Sequence, residues 1–121
     1  SQVFENAGSA VVTLVNGVYY GNSCSSYILP KTDQVFLELN YNCNTEFSIG
    51  VEGYSSSGNL NLKQTLITLR AVTGWNKVYI NLTNAISNDL KSLKFKLFFS
   101  MKYNTSTSTS NLFIDNIKLV N

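Results

Sequence analysis

The sequence predicts an all-β protein built as a two-sheet antiparallel sandwich, and three observations carry that expectation. Apolar residues alternate with polar ones, with a period of two, in several separate runs. Short polar stretches rich in Asn and Ser divide those runs at the spacing of two packed antiparallel sheets. The one short helix candidate, 84–90, is too small to form a layer. The chain has 121 residues, with no internal repeat and no linker-like stretch. It therefore reads as one domain over 1–121, long enough to bury roughly two thirds of the surface of its unfolded chain.

The elements follow in order. Residues 10–15 and 17–29 supply two or three strands, and Pro30 sits at a strand boundary, where its missing N–H costs no ladder bond. In 35–41 (VFLELNY), Val35, Leu37, Leu39 and Tyr41 point one way and Phe36, Glu38 and Asn40 the other. After the connection Asn42-Cys43-Asn44-Thr45, the run EFSIGVEGY puts Phe47, Ile49 and Val51 inward and Glu46, Ser48, Gly50 and Glu52 outward. Two alternating runs across so short a connection are expected to form a β-hairpin. A strand near 64–72 follows the turn-rich SSSGNLN. The next strand opens at Trp75, with Val78, Ile80 and Leu82 inward, Tyr79 and Asn81 outward, and Trp75 itself expected in the core. In KFKLFFSMK (94–102), Phe95, Leu97, Phe99 and Met101 turn inward, which leaves Lys94, Lys96 and Lys102 on a solvated face. LFIDNIKLV closes the chain after the polar tract YNTSTSTSN. Phe47, Ile49, Val51, Val78, Ile80, Leu82, Phe95, Leu97 and Phe99 are expected to share one core.

Composition excludes several functions. Only 13% of residues are charged and the net charge is +2, too little for nucleic-acid binding driven by phosphate neutralisation. No apolar run approaches the roughly 20 residues that a membrane-spanning helix needs. Without histidine there is no His-dependent triad, no His-ligated zinc and no imidazole base. Cys24 and Cys43 lack an activating His and are instead candidate disulfide partners, closing a loop worth about 3 kcal/mol. Glu38 and Glu52 are expected on the same outward face of adjacent strands, a carboxylate pair that reads as ordinary solvation rather than glycosidase chemistry. The expectation is a non-enzyme. With no initiator Met and no signal peptide, the chain is expected to come from a larger multidomain precursor. Its Asn-, Ser- and Thr-rich surface suits a secreted or cell-surface protein.

Asp115 stands out because Phe113, Ile114, Ile117, Leu119 and Val120 surround it, and an ionised carboxylate buried among them would need a partner. It could cap a bulge, pair with Lys118 or bind a metal. Taken together, VFENAG at the start, the W-x-x-V-x-I-x-L-T run from Trp75 to Thr83 and the closing FIDNIKLV resemble the jelly-roll carbohydrate-binding modules. That resemblance implies a jelly-roll topology in which the first and last strands run close together. It also implies a structural calcium held by Glu5, after Phe4, and Asp115, after Ile114. Calcium takes six to eight oxygens, so backbone carbonyls and Asn116 or Asn6 would complete the shell. The implied partner is a poly- or oligosaccharide. A sugar site needs hydroxyl-binding side chains beside an aromatic surface, with small residues leaving a groove. Glu38, Asn40, Glu52 and Asn81 are candidates for the hydroxyls and Tyr54 and Tyr79 for stacking, with Ser48 and Gly50 providing room. The loops at 55–61 and 104–111 are the alternative site. The alternative function is a structural spacer or adhesion sandwich without sugar affinity.

Overall fold

The computed structural model describes residues 3–6, 10–22, 26–89, 91–106 and 108–120. Among the described residues there are nine strands. They are β1 (Val3–Asn6), β2 (Ala10–Leu14), β3 (Val18–Asn22), β4 (Phe36–Cys43), β5 (Phe47–Tyr54), β6 (Leu60–Leu69), β7 (Val72–Asn81), β8 (Lys94–Lys102) and β9 (Ser110–Val120). One short helix, α1 (Thr83–Asn88), joins β7 to β8. The strands form two antiparallel sheets. In the first, β9 pairs with β1 and β2 on one edge and with β4 on the other, and β4 pairs in turn with β7. The second runs β3-β8-β5-β6. The first and last strands therefore run side by side, as the family resemblance implies.

The inward rows of both sheets meet in one core. Leu37, Leu39, Ile80, Leu112, Ile114 and Leu119 come from the first sheet, and Phe47, Ile49, Val51, Phe95, Leu97, Phe99 and Met101 from the second. Leu82, Ala85 and Ile86 close one end beside α1, which spans Thr83–Asn88 rather than the expected 84–90. Eight of the nine residues expected to share one core lie in this cluster and the ninth, Val78, packs at its margin.

The expected hairpin does not form. β4 belongs to the first sheet and β5 to the second, so the chain crosses the sandwich between them. Asn44 makes that crossing possible. Its backbone N–H donates to Asn111 O (3.2 Å), its side-chain amide donates to Thr109 O (2.9 Å), and its Oδ1 accepts the Asn111 N–H (2.7 Å). The buried Thr45 hydroxyl donates to Ser110 Oγ at 2.9 Å. Bonds to the start of β9 thus satisfy groups that a hairpin would have paired with its own second strand. The true hairpin is β5–β6, whose turn carries Ser55 N–H to Asn59 O (2.9 Å) and Gly58 at a φ of 90°.

Trp75 is a second correction. It is 56% exposed rather than in the core. Counting back from the inward Ile80 and Val78 puts Tyr79, Lys77 and Trp75 on the opposite row of β7, an edge strand.

Candidate functional site

The outward row of the second sheet gathers side chains from all four strands. Alternation places Tyr20 and Asn22 of β3, Lys96, Phe98 and Ser100 of β8, Ser48, Gly50, Glu52 and Tyr54 of β5, and Lys63 and Thr68 of β6 there. Glu52, expected to be solvated, is only 4% exposed. The Tyr20 hydroxyl donates to its Oε2 at 2.6 Å and Asn22 Nδ2 donates to its Oε1 at 3.3 Å. Hydrogen bonds of this charge-assisted kind are what make a buried carboxylate tolerable.

An aromatic layer covers this carboxylate. Tyr20 stacks on Phe98 with ring centroids 5.4 Å apart, and Lys63 Nζ lies 4.2 Å from the Tyr20 centroid. Tyr20 and Lys63 come from opposite edge strands, so together they lie across the middle of the face. Phe98 is left 2% exposed beneath them. Gly50 has a specific role here: a Cβ at this position would fall 2.1 Å from the Phe98 ring and 2.4 Å from Gln64 O. The space that Gly50 leaves is therefore taken by Phe98 rather than left for a ligand. Tyr54 stands at the other side of Glu52, with Lys96 Nζ 5.3 Å from its ring centroid. Burial first, and then the Glu52 carboxylate, push the phenols of both Tyr20 and Tyr54 above their ordinary value, Tyr20 far more strongly.

Beyond this cluster the same face opens into a groove of about 750 Å³, lined among others by Glu46, Ser48, Thr68, Arg70, Ser100 and Lys102. Ser48 Oγ and Thr68 Oγ1 are hydrogen-bonded at 2.8 Å and form part of its wall. The Tyr20–Phe98 stack thus adjoins a polar trough with both donors and acceptors, and Tyr54 lies toward the opposite end of the face.

The remaining predicted ligand residues lie on the far side of the sandwich. Glu38, Asn40, Tyr79 and Asn81 project from the outer face of the first sheet. There Lys77 Nζ is 2.9 Å from Glu38 Oε1, a contact that raises the lysine's pKa, and the Asn81 side chain accepts the Thr83 N–H at 2.9 Å. Tyr79 is 64% exposed. Glu52 and Tyr54 are thus brought together, while Glu38, Asn40, Tyr79 and Asn81 form a separate group. Glu38 and Glu52, expected on adjacent strands, stand on opposite faces and cannot flank one glycosidic bond. Tyr20, Asn22, Lys63 and Arg70 were not singled out from the sequence as site residues. Their only sequence signal was outward parity, which means nothing until the strand order is known.

Asp115 caps a bulge. The register of β9 on β4 passes from Lys118 opposite Glu38 to Asp115 opposite Asn40, which leaves an extra residue on β9. Asn116 takes the left-handed conformation there, with φ of 54°, and Asp115 Oδ1 accepts its N–H at 2.8 Å. The Glu5 backbone pairs with Lys118 on the neighbouring strand. Asn6 lies opposite Ile117 and Ala10 opposite Ile114, so the bulge faces the break between β1 and β2. Among the described residues no group of three His, Cys, Asp or Glu side chains gathers as a metal site. Cys43 is buried, with its thiol 3.5 Å from Arg70 O and its pKa raised by burial, whereas Cys24 lies outside the described residues.

No family model matches this sequence, and no curated protein matches it. Solved structures do share its fold. The chain is similar to a family 30 carbohydrate-binding module of a cellulosomal cellulase of Clostridium thermocellum, with a TM-score of 0.64 and 18% identity, over 93% of this chain and 73% of that one. It is also similar to a family 11 carbohydrate-binding module of the same organism in complex with a β-1,3-1,4-mixed-linked tetrasaccharide, with a TM-score of 0.55 and 14% identity, over 98% of this chain and 87% of that one. A structure of infectious bursal disease virus is comparably similar, with a TM-score of 0.63 and 13% identity, over 98% of this chain and 32% of that one. At these identities the likeness establishes the β-sandwich fold, one shared by carbohydrate-binding modules and by a viral protein; function has to be argued from the site.

Proposed function

We propose that this domain binds an oligo- or polysaccharide without catalysis, on the outer face of the second sheet, as a module of a secreted or cell-surface protein. The observation that carries this reading is the Tyr20–Glu52 bond, which seats the Tyr20 ring on Phe98 next to an open polar groove, with Tyr54 further along the same face. Pyranose rings present apolar C–H faces and rows of hydroxyls, and a preformed ring beside Ser, Thr and carboxylate groups answers both at little entropic cost. The Glu52 carboxylate is occupied by Tyr20 and Asn22, so its role is to hold the platform, and the groove side chains supply the hydroxyl contacts.

The first sheet supports a second reading, because Trp75 and Tyr79 are both well exposed on one face. Binding there would use Glu38, Asn40 and Asn81, the other half of the residues expected from the sequence. In the same proposal a structural calcium belongs at Glu5 and Asp115. The bulge supplies a carboxylate and an exposed Asn116 amide next to β1, donors of the hard oxygen type that calcium prefers. The test of function is a glycan array on the domain, across plant, algal and host polysaccharides, followed by titration of each hit. Binding of a defined glycan class is the expected result. Silence across all three classes overturns the proposal and favours a spacer or adhesion domain.

A further inference from the structure

Charge is distributed unevenly over the two faces. The chain carries nine Lys and Arg against seven Asp and Glu. Lys63, Arg70, Lys94, Lys96 and Lys102 all project from the outer face of the second sheet, where the only carboxylates among the described residues are Glu46 and the buried Glu52. On the outer face of the first sheet, Lys77 and Lys118 are balanced by Glu38 and Asp115. Among the described residues, no carboxylate pairs with any of the five cations of the second sheet. Lys63 and Lys96 lie over Tyr20 and Tyr54, while Arg70 and Lys102 line the groove.

The register places these last two with respect to each other. Leu69 of β6 and Met101 of β8 both pair with Phe47 of β5, so Arg70 and Lys102 flank β5 one residue further on. Their backbones are two strand spacings apart, about 10 Å, with Glu46 between them. A neutral glucan has no need of such a pair. Two exposed cations at one groove raise the local concentration of anions there, and a guanidinium is well suited to bidentate contact with a carboxylate or sulfate.

We propose that the groove selects an anionic saccharide, one bearing carboxylate or sulfate groups on its pyranose rings, with Arg70 and Lys102 as the charge-reading residues. This rests on the saccharide-binding reading above and narrows its ligand class. Glu46 moderates the site: neutralising it should strengthen binding of an anionic chain.

The test is calorimetric titration of the 121-residue domain with three oligosaccharides matched in length. These are a polygalacturonate, a sulfated dextran and a neutral mixed-linkage β-glucan, and a single-stranded DNA oligonucleotide serves as a polyanion control. At least one anionic saccharide should bind more tightly than the neutral one, and the one preferred identifies the anionic group. Its affinity should fall by about tenfold as salt rises from low to physiological strength, because exposed charge contacts are screened over about 8 Å. Arg70→Gln combined with Lys102→Gln should weaken it by about tenfold, Glu46→Gln should strengthen it, and Lys77→Gln on the opposite face should leave it unchanged. A preference for the neutral glucan, or anionic binding indifferent to the Arg70 and Lys102 changes, overturns this inference and leaves saccharide binding standing. DNA bound as tightly as the best saccharide also overturns it, since charge alone would then explain the affinity. Failure of both anionic saccharides overturns this inference, whereas the saccharide-binding reading falls only if the glycan array is also silent.

Discussion

Replacing Tyr20 with Phe removes one oxygen from the centre of the proposed platform and leaves the ring to stack on Phe98. In the native protein the Tyr20 hydroxyl donates at 2.6 Å to a Glu52 carboxylate that Asn22 also approaches at 3.3 Å. A hydrogen bond to a charged group contributes about 1.5–3 kcal/mol. The Tyr20 side chain is 43% exposed, however, so water can reach the vacated position and screening lowers the figure. A loss of about 1 kcal/mol at neutral pH is expected, or about 4 °C in Tm for a domain of this size. The pH dependence is more diagnostic. The Tyr20 phenol is raised in the folded protein, by burial first and then by Glu52. Its contribution is therefore complete below the unfolded-state value near 10 and is lost as pH climbs above it, because the unfolded chain then releases a proton that the folded chain keeps. One such group steepens the decline by up to about 1.4 kcal/mol per pH unit before screening is discounted. Urea unfolding followed by circular dichroism, from neutral pH to above 10, measures this directly. Wild type should lose stability faster than Tyr20→Phe over the alkaline range, so that the two curves converge. Parallel curves would refute the assignment of a part-buried Tyr20–Glu52 bond.

Gly50→Ala should destabilise by about 2 kcal/mol or more, since its Cβ would collide with the Phe98 ring and Gln64 O; a melt within experimental error of wild type would show that Phe98 does not lie over β5. Trp75→Ala should change stability by less than about 0.5 kcal/mol, because the side chain is solvent-facing on an edge strand; a loss of several kcal/mol would return Trp75 to the core. If calcium binds at Glu5 and Asp115, a hundredfold excess over its dissociation constant adds about 2.7 kcal/mol of stability. Chelator should then lower Tm in wild type and have no effect on Asp115→Ala, and a wild-type melt indifferent to chelator would leave Asp115 with its bulge alone.

The core was legible because alternation is a local signal. In Phe47, Ile49, Val51 and again in Phe95, Leu97, Phe99, each strand states which row faces inward, whichever strands lie beside it. Strand order is not local. The run at β4, the short Asn-rich connection and the run at β5 fit a hairpin and a sheet-to-sheet crossing equally well. What decides between them is a set of bonds from Asn44 to Thr109 and Asn111, more than sixty residues away. That single misjoining carried over to the site. It grouped Glu38 and Asn40 with Glu52 and Tyr54 as one outward face, although the two pairs lie on opposite sides of the sandwich. Tyr20 shows the same limit, since its bond to Glu52 spans 32 residues and nothing near it in sequence announces the partner. Asp115 was flagged correctly as a residue needing explanation, and the left-handed Asn116 beside it supplies part of that explanation.

Tyr54 and Tyr79 provide the most direct test of the central claim, because the fold sets them on opposite faces. A glycan that binds the domain should be titrated against wild type, Tyr54→Ala and Tyr79→Ala under identical salt. If the second sheet is the binding face, Tyr54→Ala weakens binding by about tenfold or more, as expected for an aromatic anchor, and Tyr79→Ala matches wild type. Loss of binding in Tyr79→Ala with Tyr54→Ala intact would move the site to the first sheet, and affinity untouched by both changes would move it to the loops; either result contradicts the account.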